Sequence, residues 1–207
     1  MDGPEISTLT ERLNALQPDD KARAVLKAAF ETFLQFGVRR ASMQDIADRA
    51  GMSRAALYLH YKNKDDIFRA LMESYFAAAA DVAADALARE TDPVAALRAA
   101  FHAQAGEATD RMMDSPHVDE MLSAKHGTAH DVMAAGEARL AQVYIEWLSR
   151  GAKEGWLSAK AVGDNPAETG ALILNSVFAI KNTGVDAAGY SVARERLAEL
   201  FGRALRP

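Results

Sequence analysis

The segment that most constrains this chain is residues 42 to 64, which read SMQDIADRAGMSRAALYLHYKNK. Ser42 is suited to cap a helix, with Asp45 three positions later as its reciprocal partner, and the apolar residues that follow recur at helical spacing. Gly51 stands where a left-handed backbone would end that helix, and Ser53 is placed to cap the next one. The segment therefore predicts two short helices that meet at a sharp corner.

The second of these helices presents an exposed stripe that begins with an arginine. Met52, Leu57 and Tyr61 supply the apolar contacts beneath the helix. A helix with an arginine in its first turn and little bulk beside it fits the major groove of DNA, where base edges accept arginine and apolar contacts. The residues whose spacing puts them on this exposed side are Arg54, Ala55, Tyr58, Leu59 and Lys62.

The local charge distinguishes a DNA-binding helix pair from a surface helix pair that has no such role. Any surface pair of helices can show a glycine turn and scattered charges, so the bare pattern leaves both interpretations open. Residues 39 to 64 hold six basic side chains and two acidic ones, a local net charge of plus four, whereas the whole chain has a formal net charge of −5. A basic patch on an acidic protein is typical of phosphate contact and favours nucleic-acid binding.

A longer run that starts at Gly37 reads GVRRASMQDIADRAGMSRAALYLHYKNKDDIF. It resembles the N-terminal DNA-binding domain of the TetR family of bacterial transcriptional regulators, from about residue 24 to residue 71. The most specific part is the ending LYLHYKNK, residues 57 to 64. The resemblance implies phosphate contacts from Ser42, Tyr58, His60 and Lys64 and positions near base edges for Arg54, Ala55 and Leu59; Arg40, Gln44 and Ser53 complete the predicted DNA-binding set.

Two residues depart from the pattern that is usual in this family. Ala55 replaces a frequent glycine, and Leu59 stands where histidine or tyrosine is commoner. Both departures favour apolar contact with thymine methyl groups. The DNA sequence that this chain binds therefore cannot be copied from a relative.

The rest of the chain predicts helices throughout, because no segment shows the alternation of a strand. Residues 1 to 18, which contain Gly3, Pro4 and Pro18, are expected to form a mobile arm with room for one helical turn. Caps, apolar spacing and glycine stops then divide the chain into helices. These run from Asp19 or Asp20 to Gly37, over the two short helices, and over residues 63–89, 93–113, about 128–154, 166–183 and 191–205.

Together these elements predict an all-α fold with two domains. An N-terminal three-helix helix-turn-helix DNA-binding domain covers residues 19 to 64, and a helical-bundle ligand-binding and dimerisation domain covers residues 65 to 207. The helix over residues 63–89 bridges the two domains, so its tilt can carry a signal. The segment around Ile173 and Phe178 is apolar on nearly every side and needs two partners. We therefore expect a homodimer held by the last two long helices, residues 167–183 and 191–205.

Composition excludes several other classes of protein. The chain of 207 residues contains no cysteine, which excludes disulfides, thiol nucleophiles and thiolate metal sites. No apolar run reaches the ~18 residues of a membrane span, and no basic-then-apolar leader is present. We therefore expect a cytoplasmic protein that does not enter a membrane.

Candidate catalytic and metal residues are sparse. His126 and His130 are four apart, with Asp131 and His117 nearby, but Gly127 interrupts the helix that would have to hold both histidines. We expect no metal and no cofactor. A nucleophile elbow and a phosphate-binding glycine loop are both missing. A small-molecule-binding enzyme that uses the helical domain, or a DNA binder that needs no effector, remain the alternatives.

The second domain contains methionine and aromatic residues that can adapt to an apolar ligand. The same residues at helical spacing are also typical of plain core, and the pattern leaves this open. Asn175 stands among apolar neighbours, so its amide should be buried and satisfied by a ligand, a facing helix or a symmetry mate. The predicted ligand-binding residues are Phe101, Met112, Met113, Met121, Tyr144, Trp147, Asn175 and Phe178.

We interpret the chain as a dimeric repressor of transcription. Its expected partners are double-stranded operator DNA and a small, largely apolar effector. The effector is expected among the helices over residues 93–113, 128–154 and 166–183. Its binding would tilt the bridging helix and release the protein from its operator.

Overall fold

The structure is a computed structural model that describes residues 8–123 and 129–207. These residues form eleven α-helices and no strand, so the predicted all-α fold is confirmed for them. The helices are α1 (Leu9–Ala15), α2 (Asp20–Arg40), α3 (Met43–Arg49), α4 (Arg54–His60), α5 (Lys64–Arg89), α6 (Pro93–Met113), α7 (Val118–Ser123), α8 (His130–Glu154), α9 (Ala159–Val162), α10 (Pro166–Ile180) and α11 (Ala187–Leu205).

The first hydrophobic core holds α2, α3, α4 and the start of α5 together. Asp19 caps α2 by accepting from the backbone N–H of Ala22, and the backbone of Gly37, with a φ of 78°, breaks the helical path near its end. The start of this helix was predicted, whereas Gly37, the predicted end, kinks the helix three residues before it ends at Arg40. Fully buried side chains from each of the four helices meet in this core, among them Phe33, Ile46, Leu57 and Ile67.

The long helix α5 joins this core to a second one, as the sequence predicted. Its cap is Asn63, whose side chain accepts from the backbone N–H of Asp66. Its first half packs in the first core through Phe68, and its second half packs in the second core through Ala83 and Leu87. The second core is completed by α6, α8, α10 and α11.

Residues 8–18 differ from the mobile arm that was predicted for residues 1–18, whose first seven residues lie outside the described part of the chain. Thr8 and Glu11 form a reciprocal capping box at the start of α1. Leu9 is buried against the small side chains of Ala78 and Ala79. It also fills the kink of α6 at Gly106, where an added Cβ would lie 3.0 Å from Leu9. This helix forms because its leucines find a surface on α5 and α6, which sequence periodicity does not reveal.

Two further differences concern helix boundaries. The helix α11 begins at Ala187 instead of Ser191, because Asp186 accepts from the backbone N–H of Gly189 and caps it there. The short helix α9 was not predicted. The start expected near Thr128 lies outside the described residues. Within residues 8–123 and 129–207, no helix has both the length and the apolar character of a membrane span.

Candidate DNA-binding surface and ligand cavity

The pair α3 and α4 forms the corner that the sequence predicted. The backbone N–H of Asp45 donates to the Ser42 hydroxyl at 3.2 Å, and the backbone N–H of Ser42 donates to the Asp45 carboxylate at 2.9 Å. The Ser42 hydroxyl, which donates to the Asp45 carboxylate at 2.6 Å, and the Ser42 backbone N–H together hold the pKa of the Asp45 carboxyl below its usual value. Gly51 has a φ of 68° and makes the turn. The Ser53 hydroxyl then accepts from the backbone N–H of Ala56 at 3.1 Å and caps α4.

Nine of the ten predicted DNA-binding residues are exposed to solvent. The side chain of Leu59 is 86% exposed, although leucine is an apolar residue. A groove-facing helix requires uncovered side chains of this kind. The other exposed members of the set are Arg40, Ser42, Gln44, Ser53, Arg54, Ala55, Tyr58 and His60.

Arg54 is oriented by the residue one turn further along α4. Its Nη2 donates to the Tyr58 hydroxyl at 3.2 Å, and its guanidinium lies 5.4 Å from the centre of the Tyr58 ring. The remaining guanidinium donors make no hydrogen bond within the described residues. Arg54 is therefore pre-organised at the exposed start of α4, where a recognition helix contacts base edges.

Lys64, the tenth residue of the predicted set, makes contacts that the sequence did not suggest. Its Nζ donates to the backbone carbonyls of Arg39 at 2.6 Å and Ala41 at 3.0 Å. These bonds tie the start of α5 to the end of α2. Because an ammonium has three donors, one remains for a phosphate. Its neighbour in the basic patch, Arg49, instead contacts Glu31 and Gln35 of α2.

A cavity of about 110 Å³ lies between α2, α5, α6, α7, α8 and the turn after α10. Three of the eight residues predicted to contact a ligand line it, namely Met112, Met121 and Phe178. Most of the remaining wall comes from residues that the sequence analysis did not select. The main ones are Phe30, Phe68, Met72, Tyr75, Phe76, Met133 and Lys181.

The other five predicted ligand residues lie elsewhere, which corrects the sequence interpretation. Phe101, Tyr144 and Trp147 are buried in the second core, because their helices turn these faces towards α10 and α11. Met113 packs with Ala105 and Tyr190 in a separate cluster. Asn175 is exposed in the single chain, so its amide is not buried among the apolar residues of that chain. Periodicity identified buried faces correctly but could not tell which neighbour covers them.

The cavity wall is bonded to the DNA-binding domain through α7 and the residues before it. The Glu120 carboxylate, next to the cavity residue Met121, accepts from the backbone N–H of Arg39 at 3.1 Å. This bond lowers the pKa of the Glu120 carboxyl. The Ser115 hydroxyl donates to the carbonyl of Leu34 at 2.9 Å. Both bonds end on the last turns of α2, where Lys64 is also attached.

The histidine group considered for a metal is only partly described. His126 and Gly127 lie outside the described residues, and His130 is the first residue of α8. Asp131 pairs with Arg69, with two contacts of 2.6 and 2.7 Å. In residues 8–123 and 129–207, no three His, Asp or Glu side chains are arranged to hold a metal ion.

Two capped helices at a sharp corner, with an exposed face that begins with an arginine, form a helix-turn-helix, the motif of many DNA-binding domains. The model of the bacterial regulatory proteins of the tetR family matches residues 25–71, which cover most of α2, all of α3 and α4, and the start of α5. Residues 25–71 therefore resemble the DNA-binding domain of this family.

Individual relatives agree with this assignment. The HTH-type transcriptional activator FasR of Mycolicibacterium smegmatis is 36% identical over 92 residues, which are 44% of this chain and 42% of FasR. The HTH-type transcriptional repressor BepR of Brucella suis is 41% identical over 49 residues, 24% of this chain and 23% of BepR. The chain therefore spans less than half the length of these two curated relatives.

The whole fold resembles that of a solved regulator. The structure of SmeT of Stenotrophomonas maltophilia in complex with triclosan aligns with a TM-score of 0.69 and 20% identity. The alignment covers 91% of this chain and 93% of SmeT. At this identity the likeness shows a common fold. It extends the agreement from the DNA-binding domain to the helices that surround the cavity.

Proposed function

We propose that the protein is a homodimeric transcriptional regulator that binds operator DNA and is released by a small, largely apolar effector. The observation that carries the proposal is the uncovered face of α4, where Arg54 is held by Tyr58 and Leu59 has no apolar neighbour over it. Such a face has a clear use in a DNA groove. Chromosomal DNA lies in the bacterial cytoplasm, where we expect the protein to act.

The DNA contacts follow from the chemistry of this face. Arg54 donates to a guanine edge in the major groove, and Ala55 and Leu59 contact thymine methyl groups. Phosphate contacts surround these residues and fix the position of the helix. We assign them to Arg40, Ser42, Gln44, Ser53, Tyr58, His60 and the free donor of Lys64.

Exposed leucines and a valine on the last two long helices support the dimer. Leu172 of α10 is 59% exposed, and Val192 and Leu200 of α11 are 70% and 61% exposed. Val192 and Leu200 are eight residues apart and share one face of α11. Ile173 is fully buried within its own chain. We therefore assign the interface to Leu172, Val192 and Leu200 instead of Ile173.

We place the exposed Asn175 at the same dimer interface. Asn175 lies three residues after Leu172 on α10, so the two side chains share a face of the helix. In the proposed dimer this amide bonds across the interface. A two-fold dimer would also present its two α4 helices to half-sites about one DNA turn, ~34–36 Å, apart.

Signal transmission would use the bonds between the cavity wall and α2. A ligand that moves Met121 on α7 also moves Glu120, which is bonded to Arg39. The same ligand contacts Phe68 and Met72 on α5, the helix whose first residue, Lys64, is bonded to α2. A shift of α7 and α5 would change the angle of α4 and the separation of the two recognition helices.

Whether the protein represses or activates transcription, and which kind of effector it binds, are inferred by analogy with similar proteins. FasR is named an activator and BepR a repressor, so resemblance to this family leaves the sign open. SmeT, which shares the fold, is described as the repressor of a multidrug efflux pump and in complex with triclosan. We propose repression by this chain and a small, largely apolar effector.

Fluorescence anisotropy with a labelled operator, selected by the protein from random DNA, tests the proposal. An effector should lower operator affinity by ~5 to 150-fold, and the operator should lower effector affinity by the same factor. Glu120→Ala should reduce this coupling, whereas Asp119→Ala, an exposed neighbour, should not. Equal effector affinity with and without operator would make the protein an effector-independent DNA binder. Failure to bind any DNA sequence selectively would refute the function itself.

A further inference from the structure

We propose that the ligand of the cavity carries a negatively charged head group, and that Lys181 binds this group. The inference rests on the proposed function, since it concerns the effector of the same cavity. It goes further by defining the effector as an amphipathic anion. The argument starts from the position of one ammonium group in a wall that consists mostly of apolar side chains.

Lys181 begins the 3-10 turn Lys181–Thr183, which follows α10. Its side chain lines the cavity together with methionine and aromatic residues. Its Nζ lies 5.9 Å from the ring centre of Tyr75, 5.6 Å from that of Phe178 and 5.6 Å from that of Tyr190. Three rings therefore hold the ammonium in a defined place at the edge of the cavity.

These rings stabilise the positive charge without neutralising it. In the part of the chain that the structure describes, no carboxylate forms an ion pair with Lys181. Burial lowers the pKa of Lys181, but Tyr75 and Tyr190 raise it, and the result is a pKa above the usual value. Lys181 is half-buried, and a charge that is partly removed from water is costly unless it is paired; cation–π contacts return only part of this cost. An anion from outside the chain would complete the pairing.

Arg194 lies in the same region as Lys181, but its positive charge is paired with groups of the chain itself. Its guanidinium stacks on Tyr190 at 4.5 Å, the ring that Lys181 also contacts. Its Nη1 donates to the carbonyl of Phe101 at 3.2 Å, and its Nη2 lies 3.4 Å from the Asp110 carboxylate. Arg194 therefore has a carboxylate partner within the chain, whereas Lys181, on the same ring, has none among the described residues and can accept an anion from outside.

The rest of the cavity defines the body of the ligand. Met72, Met112, Met121 and Met133 line it, and their side chains can rotate to make room. Such movement is necessary, because a volume of about 110 Å³ is smaller than the ~150 Å³ that admits a benzene ring. The wall therefore fits a short apolar tail, and Lys181 fits a single carboxylate at its end.

The test compares ligands that share a tail and differ in the head group. Hexanoate, hexan-1-ol and hexylamine, and the same three with a ten-carbon tail, are titrated into the full-length protein by calorimetry at neutral pH. We expect each carboxylate to bind roughly 10- to 100-fold more tightly than its alcohol, as for a hydrogen bond to a charged group. Lys181→Met should bring this ratio close to one. Lys181→Arg should keep it, and Lys153→Met, an exposed control on α8, should leave it unchanged.

The wild-type comparison alone decides the inference if Lys181→Met does not fold. Equal binding of carboxylate and alcohol would overturn the inference and leave the proposed function standing. A preference for the amine would overturn it too and would point to Glu137, which also lines the cavity. If none of the six compounds binds and no other compound releases the operator, the effector part of the proposed function fails as well.

Discussion

Removal of the Arg54 guanidinium tests the assignment of α4 to the major groove. Arg54 is exposed at the first position of α4 and bonds to Tyr58 alone among the described residues. Arg54→Ala should therefore cost little folding stability. A bidentate contact to a guanine is worth ~1–3 kcal/mol, so affinity should fall by about 5- to 150-fold. Tyr58→Phe removes the 3.2 Å bond that orients Arg54 and should cost about 1 kcal/mol.

The assay measures anisotropy with the selected operator and with every single-base substitution of it. For the wild type, substitution of the contacted guanine should be costly, and in Arg54→Ala this cost should disappear at one or two base pairs only. Arg150→Ala, an exposed arginine on α8 far from α4 in the chain, is the matched control and should behave like the wild type. Measurements at two salt concentrations separate phosphate contacts from base contacts.

Two results would refute this reasoning. A uniform loss of affinity across all substituted operators would mean that Arg54 contacts phosphate, and the groove assignment would be wrong. If the losses of Arg54→Ala and Tyr58→Phe add in the double variant, Tyr58 does not act by orienting Arg54.

Three further predictions follow from other parts of the molecule. Lys64→Met should weaken binding to all DNA sequences alike by roughly tenfold, since it removes the two bonds that tie the start of α5 to the end of α2 and one phosphate donor; an effect confined to single base pairs would contradict this. Leu172→Asp with Leu200→Asp should give monomers in light scattering at micromolar concentration, and a monomeric wild type would refute the proposed interface. Gly202→Ala should destabilise the fold by about 1–3 kcal/mol and lower the thermal midpoint, because the new Cβ would lie 2.5 Å from Val94 Cα; an unchanged midpoint would show that α11 can shift freely.

The DNA-binding corner could be predicted from the sequence because its signals are local. Ser42, Gly51 and Ser53 act on backbone groups within three residues of themselves, so their spacing alone specifies the two helices and the turn. The family resemblance adds the roles of the exposed residues. The bridging helix was predictable for the same reason, from its cap Asn63 and its long apolar stripe.

The cavity could be predicted only in part, because its walls depend on which helices become neighbours. Phe101 and Tyr75 both occupy buried or half-buried positions on amphipathic helices, but only Tyr75 lies at the cavity. The aromatic pair Tyr75 and Phe76 on α5 was the signal that could have pointed to the missed wall. The sequence around Lys181 gave no signal of its role, because that role depends on contacts with three aromatic rings that belong to α5, α10 and α11.

The helix α1 could not be predicted with its full length either, because its stability depends on contacts with distant helices. Its capping box at Thr8 and Glu11 was readable, but a short helix is marginal on its own. It is stable here because Leu9 packs into the kink of α6 at Gly106 and against α5. That surface exists only once the second core has formed.

Selection of bound sequences from random double-stranded DNA by the full-length protein tests the central claim most directly. We predict that the enriched sequences form one inverted repeat, with half-sites about one helical turn, or a multiple of it, apart, and that Arg54→Ala changes the preference at fixed positions of each half-site. Recovery of sequences with no common motif, or of a single half-site without two-fold symmetry, would contradict the account.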